Sequence, residues 1–357
     1  MQTVWRRTRL IWFGGRVDFS YSLYRLGRIC LLASVTMAGL LLVTFVIGRI
    51  MPIDPVLAIV GDHASEETYL AARNKMGLDQ PLYTQLGLYF GQVLRGDLGI
   101  SSLTQNPVSE DLFNYFPATF ELVLMSGTLM ILIGMPLGIL SGKFKNTFVD
   151  HIARIISLLG VVTPSFLWAI ILMLIFAYWI PIFPVSERFD ETLDPPKIVT
   201  GLLLIDSLIE GDFIFFKDAF VHLILPGLAI AMPAIGNVAR LTRTNLSDIY
   251  EKQYIEFAKS YSFSEFKIAT KYALKPASIP TVTIIGLDFA FMLGNAFLVE
   301  TVFVWPGMAK YGVEVILAKD LNGIIATCLI ITTFFLIINM IVDFIVLLLN
   351  PRIILRD

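Results

Sequence analysis

The chain has 357 residues, of which 56% are hydrophobic and only 16% are charged. Soluble domains carry about 25% charged residues, so this composition excludes an ordinary soluble protein and indicates that lipid covers most of the apolar surface. The formal net charge of −2 says little because the two signs are segregated along the chain. The three histidines lack metal-ligand spacing, and the two cysteines lie far apart in apolar runs. Neither a metal site nor a disulfide is therefore predicted.

The first 28 residues combine arginines with Trp5, Trp12, Phe13 and Phe19. This composition is typical of an amphipathic helix lying in the membrane interface, and a partly ordered basic tail is the alternative. The apolar run that follows is long enough to span a membrane and is not closed by a cleavage site, so it is interpreted as an anchor.

Six apolar segments have the length of about 20 residues that a transmembrane helix needs. The fourth is the weakest because Pro226, Pro233 and Asn237 lie inside it. The predicted fold is therefore an all-α polytopic membrane protein with six transmembrane helices. The six predicted spans cover residues 29–50, 122–140, 152–180, 221–239, 279–299 and 324–349.

Basic residues predict the orientation. If the N-terminus is cytoplasmic, 18 of the 27 lysines and arginines fall on the cytoplasmic side, so the positive-inside rule places both termini there. Residues 51–119 then form a periplasmic region, and residues 120–357 form a five-helix core with a periplasmic loop at 181–220. Within that loop, residues 201–209 predict a short interfacial helix, with a surface helix packed on the bundle as the alternative.

The segment 242–278, between the fourth and fifth predicted spans, is long, basic and patterned. Ser262 and Glu265 have the spacing of a capping box, which predicts a helix from Phe263 to about Leu274 that ends before Pro276. Two helices joined by a sharp turn at Ser262 would form a rigid pair able to fit a groove on a partner. A solvated basic loop is the alternative.

Asp288 and Asn295 lie inside the fifth predicted span, two helical turns apart and therefore on one face. A charge at the middle of a bilayer costs about 2.5–3.5 kcal/mol and is usually functional or paired. The pair is predicted either to line a substrate path or to hold the bundle together through a hydrogen bond between helices, with Asn237 as the candidate partner.

The segment 242–278 resembles the EAA motif of ABC importer permeases, in which Glu-Ala-Ala is followed three residues later by Gly and then by an apolar-Pro pair. Here Glu256-Phe257-Ala258, Ser262 and Ile279-Pro280 take those places. Phe257 replaces the middle alanine, and Ser262 replaces a glycine that normally permits a turn with positive φ. We expect the turn to be kept with another local geometry, in which Ser262 serves as an N-cap.

Further motifs resemble the B-type permease subunit of the oligopeptide, dipeptide and nickel family. Each motif alone is weak, but their order covers the chain from about residue 28 to the C-terminus. They are Met76-Gly77-Leu78-Asp79-Gln80-Pro81-Leu82, Gly96-Asp97-Leu98-Gly99-Ile100-Ser101, Pro107-Val108, Pro117-Ala118-Thr119-Phe120-Glu121-Leu122, Glu300-Thr301-Val302-Phe303-Val304-Trp305-Pro306-Gly307-Met308 and Asn350-Pro351-Arg352.

The resemblance implies an inner-membrane permease that couples to ATP hydrolysis through the segment 242–278. Its implied partners are a second homologous permease, two ATPase subunits, a periplasmic substrate-binding protein and the lipid bilayer, and no nucleic acid. ATP and Mg²⁺ would bind to the ATPase partners and no cofactor to this chain. The residues implied in coupling are Glu256, Phe257, Ala258, Lys259 and Ser262.

The chain itself has no ATP-binding P-loop. Gly138 and Gly142, followed by Lys143, have three residues between the glycines where the motif needs four, so the chain is not predicted to be an enzyme. The predicted cargo is a peptide, with nickel complexes or opines as alternatives. A secondary transporter is the rival of another class, but six spans without a detectable repeat argue against it.

Overall fold

The computed structural model describes residues 19–50, 55–61, 64–75 and 77–349. These residues form helices and connecting segments, with one isolated bridge between Ile100 and Pro107. In chain order the helices are α1 Phe19–Ile50, α2 Pro55–Val60, α3 Glu66–Lys75, α4 Leu82–Leu94, α5 Val108–Lys143, α6 Phe148–Val162, α7 Ser165–Trp179, α8 Leu203–Glu210, α9 Phe213–Tyr250, α10 Gln253–Ser260, α11 Glu265–Val302, α12 Met308–Leu317 and α13 Leu321–Leu349.

Five of these helices, α1, α5, α9, α11 and α13, are long and apolar enough to cross a membrane. The consecutive helices α6 and α7 pass the same test together, although they are bent by 111°. The bundle therefore has six spans when the bent pair counts as one, and the predicted all-α polytopic fold is confirmed.

The third predicted span, residues 152–180, corresponds to the bent pair α6 and α7 rather than to one straight helix. Pro164 has no N–H to donate and disfavours helical backbone at the residue before it. Thr163 accordingly adopts an extended conformation, with φ −88° and ψ 122°. The chain turns there, and α7 then starts in a new direction.

Two other spans begin earlier than predicted. Helix α5 starts at Val108, so the end of the segment 51–119 belongs to the same helix as the second span. Helix α11 starts at Glu265 and continues past Pro276, where the prediction ended a separate helix. A π-helical stretch, Ile268–Leu274, precedes that proline. Pro276 lies in the first turn of the α-helical stretch that follows, where a backbone N–H would not be needed for a hydrogen bond within the helix.

Helix α9 lies at the centre of the bundle although the sequence made it the weakest span. In its most apolar stretch 67% of the residues are buried, against 22–39% in α1, α5, α11 and α13. Both prolines of this helix are accommodated inside it. The central position explains the polar and proline-rich sequence, because neighbouring helices rather than lipid surround it.

Three glycines of α5, spaced four residues apart, bring this helix close to α9. A Cβ added at Gly134, Gly138 or Gly142 would lie 2.6–3.1 Å from a carbonyl oxygen of α9. Small residues at this spacing let the backbones of membrane helices approach closely. Helices α5 and α9 are therefore held in one register.

The short helix α8 is confirmed near the predicted place. It packs through Leu203 on α9, while Leu208 and Ile209 on its other face are exposed. Asp206 fixes its start: burial acts to raise the pKa of this carboxyl, but hydrogen bonds, first among them those from the hydroxyl and N–H of Thr200, hold the pKa below its usual range.

The predicted N-terminal amphipathic segment, residues 1–28, lies mostly outside the described residues. Helix α1 is described from Phe19 onward, so residues 19–28 are its first turns rather than a separate segment. Helix α1 is described as far as Ile50, the last residue of the first predicted span, and residues 51–54 lie outside the described part of the chain.

Candidate functional site

The predicted turn at Ser262 is present, but its geometry differs from the expectation. Ser262 has φ +54°, the left-handed conformation in which the family pattern has glycine. The N–H of Ser262 donates to the oxygen of Lys259 at 3.0 Å, and the N–H of Phe263 donates to the oxygen of Ala258 at 3.3 Å. These two bonds form a Schellman motif, which closes the C-terminus of α10.

The predicted N-cap role of Ser262 is therefore wrong. Ser264 caps the next helix instead, since its hydroxyl accepts a hydrogen bond from the N–H of Lys267 at 3.4 Å. The capping-box spacing identified the correct boundary but the wrong serine. The element formed by residues 253–274, called the hairpin below, thus keeps the glycine-type turn with a serine in it.

The inner face of the hairpin is apolar and buried. Ala258, one of the predicted coupling residues, is 4% exposed. It packs in a cluster that joins α10 to the long helices α9 and α11, and any part it has in coupling is through this packing. The buried members of the cluster are Leu246, Ile255, Ala258, Ile268, Ala273 and Ala277.

The outer face of the hairpin is exposed and rich in aromatic residues. Phe257 and Tyr261 are 62% and 63% exposed, with ring centroids 4.5 Å apart, and Phe266 is 78% exposed. The predicted coupling residues Glu256 and Lys259 are exposed as well, and Lys259 lies over the ring of Tyr250, on the side of α10 that faces α9. Aromatic side chains are enriched where proteins bind one another, so this face has the composition of a docking surface.

A second segment adjoins the hairpin. Lys145, in the turn between α5 and α6, forms an ion pair of 2.6 Å with Glu251. The hydrogen bond from this lysine holds the pKa of Glu251 below its usual range. An open pocket of about 270 Å³ lies between this turn and the hairpin, with Lys259 and Glu265 on its hairpin side.

A buried ion pair that the sequence reasoning missed lies at the same end of the bundle. Asp150 is fully buried, and its two oxygens accept from Nε and Nη2 of Arg243 at 2.6 and 2.9 Å. The Ser141 hydroxyl and the N–H of Asn146 also donate to it. An acidic residue inside an apolar segment was the only signal, and the carboxylate joins α5, α6 and α9.

At the opposite end, two of the quoted sequence motifs meet. The Thr119 hydroxyl donates to Oε1 of Glu300 at 2.5 Å and accepts from the N–H of Met308 at 2.6 Å. Oε2 of Glu300 accepts from the N–H groups of Ala309 and Lys310 at 3.0 and 3.1 Å. The fully buried Glu300 therefore joins α5, α11 and α12.

Two further polar contacts close this opposite end. Arg188 donates to Oε2 of Glu121 at 2.6 Å, and both side chains are largely buried. The other oxygen of Glu121 accepts from the N–H of Leu204 at 2.7 Å. Ser101 donates to Asp320 at 2.5 Å, so the segment before α5 is tied to the start of α13.

The two polar residues predicted in the fifth span are found in different surroundings. Nδ2 of Asn237 donates to Oδ1 of Asp288 at 3.4 Å, which is the contact between helices that the sequence suggested. Oδ2 of Asp288 is buried without a hydrogen-bond partner. Asn295 is exposed. Whether either residue lines a substrate path stays a prediction.

Comparison with known families decides the identity of the chain. Residues 134–355 match the family described as the binding-protein-dependent transport system inner membrane component, and residues 23–123 match the N-terminal region of such membrane components. The chain belongs to this family of ABC importer permeases.

Curated relatives resemble this permease over most of its length. It is 39% identical to the "Probable D,D-dipeptide transport system permease protein" of Escherichia coli (strain K12), over 89% of this chain and 94% of the relative. It is 34% identical to the dipeptide transport system permease protein of Alkalihalophilus pseudofirmus, over 92% and 98%. The dipeptide transport system permease protein of Haemophilus influenzae is 34% identical, over 89% and 95%.

The family match places the features described above within a multi-pass inner-membrane protein. The larger of the two matched regions begins at Gly134 and includes the hairpin, the Asp150–Arg243 pair and Glu300. Thr119 and Glu121 lie in the smaller, N-terminal region. The polar contacts at the end opposite the hairpin therefore join the two regions of the permease.

Proposed function

We propose that this permease is one of two homologous membrane subunits of an ATP-driven, binding-protein-dependent importer of peptides. Two ATPase subunits dock on the hairpins of the two permeases, a periplasmic substrate-binding protein delivers the cargo at the opposite end, and both chain termini are cytoplasmic. The observation that carries the proposal is the hairpin itself. Its outer face is aromatic and exposed, and its inner face packs in a buried apolar cluster with α9 and α11, called the seat below. The dipeptide systems named for the relatives support the choice of cargo.

The seat explains how movement would reach the spans. Ile255 and Ala258 of α10 pack in one cluster with Leu246 of α9 and Ala277 of α11. Because protein interiors are close-packed, a displacement of α10 has to move these neighbours as well. ATP and Mg²⁺ bind to the ATPase subunits, and this chain contributes the surface on which their closure acts.

The variant Glu256→Lys tests the hairpin. It reverses one charge on the proposed docking surface without touching the buried seat. The amount of permease in the membrane should therefore hold, while ATPase subunits are lost from the purified complex or their hydrolysis no longer drives uptake. The measurements are ATPase subunits retained by the tagged permease and peptide uptake in proteoliposomes.

Phe257→Ser should have the same effect, because it removes an aromatic side chain of this surface. Phe148→Ser is the matched control, since Phe148 is 77% exposed and starts α6, outside the hairpin. Normal assembly and transport by both hairpin variants would contradict the coupling assignment. Transport that survives depletion of ATP would instead favour a secondary transporter.

Asp288 and Asn295 remain our candidates for the polar lining of the substrate path. Asp288→Ala should lower peptide uptake by the reconstituted complex while subunit assembly is kept. Thr283→Ala on the same helix is the control, because that hydroxyl bonds only to its own helix at Ile279. Unchanged uptake by Asp288→Ala would remove this residue from the path. The solute that copurifies with the cognate binding protein would distinguish peptides from nickel complexes or opines.

A further inference from the structure

A second pocket at the hairpin end is separate from the hairpin and has no part in the proposed docking. It has a volume of about 270 Å³ and lies between α5, α6 and α9. Arginines line one part of it and aliphatic side chains line another. The residues used below are Arg154, Arg240, Arg243, Leu137, Leu158 and Val161.

The charges around this pocket do not balance. Asp150 forms a bidentate pair with Arg243 and lies 3.7 Å from Nε of Arg154. It is the one carboxylate that contacts any of the three arginines within the described part of the chain. Arg240 donates to the amide oxygen of Asn237 at 3.4 Å. The arginines thus exceed the carboxylates by two formal positive charges, which favours an anion.

The two arginines without a full counter-charge are accessible. The side chain of Arg154 is 46% exposed, and Arg240 is also exposed. The planar guanidinium group of arginine binds phosphate oxygens in a bidentate manner. Arg243, in contrast, is occupied by Asp150 and serves to hold the wall between α6 and α9.

The apolar side of the pocket indicates which kind of anion fits. Leu158 lines the pocket and is 62% exposed, and α6 continues this apolar surface with Ile155 and Val162, which are 59% and 69% exposed. A small soluble anion would leave this surface uncovered. A phospholipid would cover it with acyl chains while its phosphate meets the arginines, and basic pockets between transmembrane helices bind acidic headgroups in this way.

We propose that this pocket binds the phosphate headgroup of an anionic phospholipid. The phosphate lies between Arg154 of α6 and Arg240 of α9, and the acyl chains follow the exposed face of α6. Bound lipid would thereby connect α6 to the central helix at the hairpin end. The inference requires only that the chain spans a membrane, so it stands apart from the proposed coupling to ATPases.

The double variant Arg154→Gln/Arg240→Gln tests the site in the purified complex. Native mass spectrometry and lipid extraction measure bound phosphatidylglycerol, and thermal unfolding is followed in mixed micelles of phosphatidylglycerol or phosphatidylcholine. Losing two basic contacts should weaken binding of phosphatidylglycerol roughly 30-fold and abolish the thermal stabilisation that this lipid gives. Arg95→Gln/Lys217→Gln removes two exposed charges at the opposite end and should leave both unchanged.

A second variant keeps the test informative if the double variant does not fold. Arg240→Lys retains the charge but not the bidentate geometry, and should weaken binding by a smaller factor. Equal lipid binding by wild type and the pocket variants would overturn the proposal. Stabilisation by inorganic phosphate alone, to the same extent as by phosphatidylglycerol, would overturn it too, since the acyl chains would then be dispensable.

Discussion

The carboxylates at the end opposite the hairpin and the aromatic face of the hairpin differ in burial. At the end opposite the hairpin, Glu121 and Glu300 are buried, and each accepts hydrogen bonds from a distant segment of the chain. At the hairpin end, Phe257, Tyr261 and Phe266 are exposed. These carboxylates are paired within the chain, whereas the aromatic side chains of the hairpin have no cover from the chain itself.

This difference separates contacts that stabilise the fold from surfaces that are available for binding. Buried polar groups must be paired because an unpaired one costs much of its hydration energy, so the opposite end is held closed by its own chain. Exposed aromatic groups contribute little to the fold of the isolated subunit and are available for binding. Mutations should therefore lower stability at one end and assembly at the other.

The largest loss of stability is expected for Glu121→Ala. This change leaves Arg188 in a largely buried site without its counter-ion, and breaking a buried pair typically costs about 3–5 kcal/mol. The free energy of unfolding in detergent measures it. The control is Glu191→Ala, since Glu191 lies in the same loop as Arg188 but is exposed. A loss no greater than that of the control would remove the pair from the contacts that hold this end.

Thr119→Val should cost less, about 1–3 kcal/mol, because it leaves the N–H of Met308 and one oxygen of Glu300 each without a hydrogen-bond partner. The same unfolding measurement applies. Thr128→Val on the same helix is the matched control, since its exposed hydroxyl bonds only to the oxygen of Leu124. Equal stabilities of the two variants would show that the Glu300 site does not depend on this hydroxyl.

The smallest effect is expected at the hairpin turn. Ser262→Gly should stabilise the turn by less than about 1 kcal/mol, because glycine adopts positive φ without strain but loses more freedom on folding. Hydrogen exchange of the amides of α10 measures this local change, and exchange should slow. Ser260 is the last residue of α10, and Ser260→Gly should accelerate exchange, since glycine weakens a helix. If both variants changed the exchange rate in the same direction, the interpretation that Ser262 is strained would be wrong.

Apolar length predicted the spans well, since lipid leaves a strong signal in composition. It did not predict where prolines break a helix. Pro226 and Pro233 are accommodated in α9, whereas Pro164 ends α6. The exposed Pro280 also lies inside a continuous helix, α11, so neither the presence nor the exposure of a proline predicts which one ends a helix.

For the candidate site too, the sequence predicted local features but not contacts between distant residues. Local patterning placed the hairpin turn at Ser262, because helix ends are governed by near neighbours. It could not choose between Ser262 and Ser264 as the cap, nor show that Ala258 faces inward. The pairs Asp150–Arg243 and Glu121–Arg188 join residues 93 and 67 positions apart, and no periodicity within a segment reports such a contact.

The three glycines of α5 affect how a movement of one helix is transmitted to the others. With backbones in contact at Gly134, Gly138 and Gly142, α5 and α9 have no room to slide past one another, so they turn or tilt as a single block. We therefore expect changes of shape within the subunit at joints outside that block, and the bend of 111° between α6 and α7 is one of these. Replacing one glycine by a larger residue would widen the block and alter the spacing of both ends together.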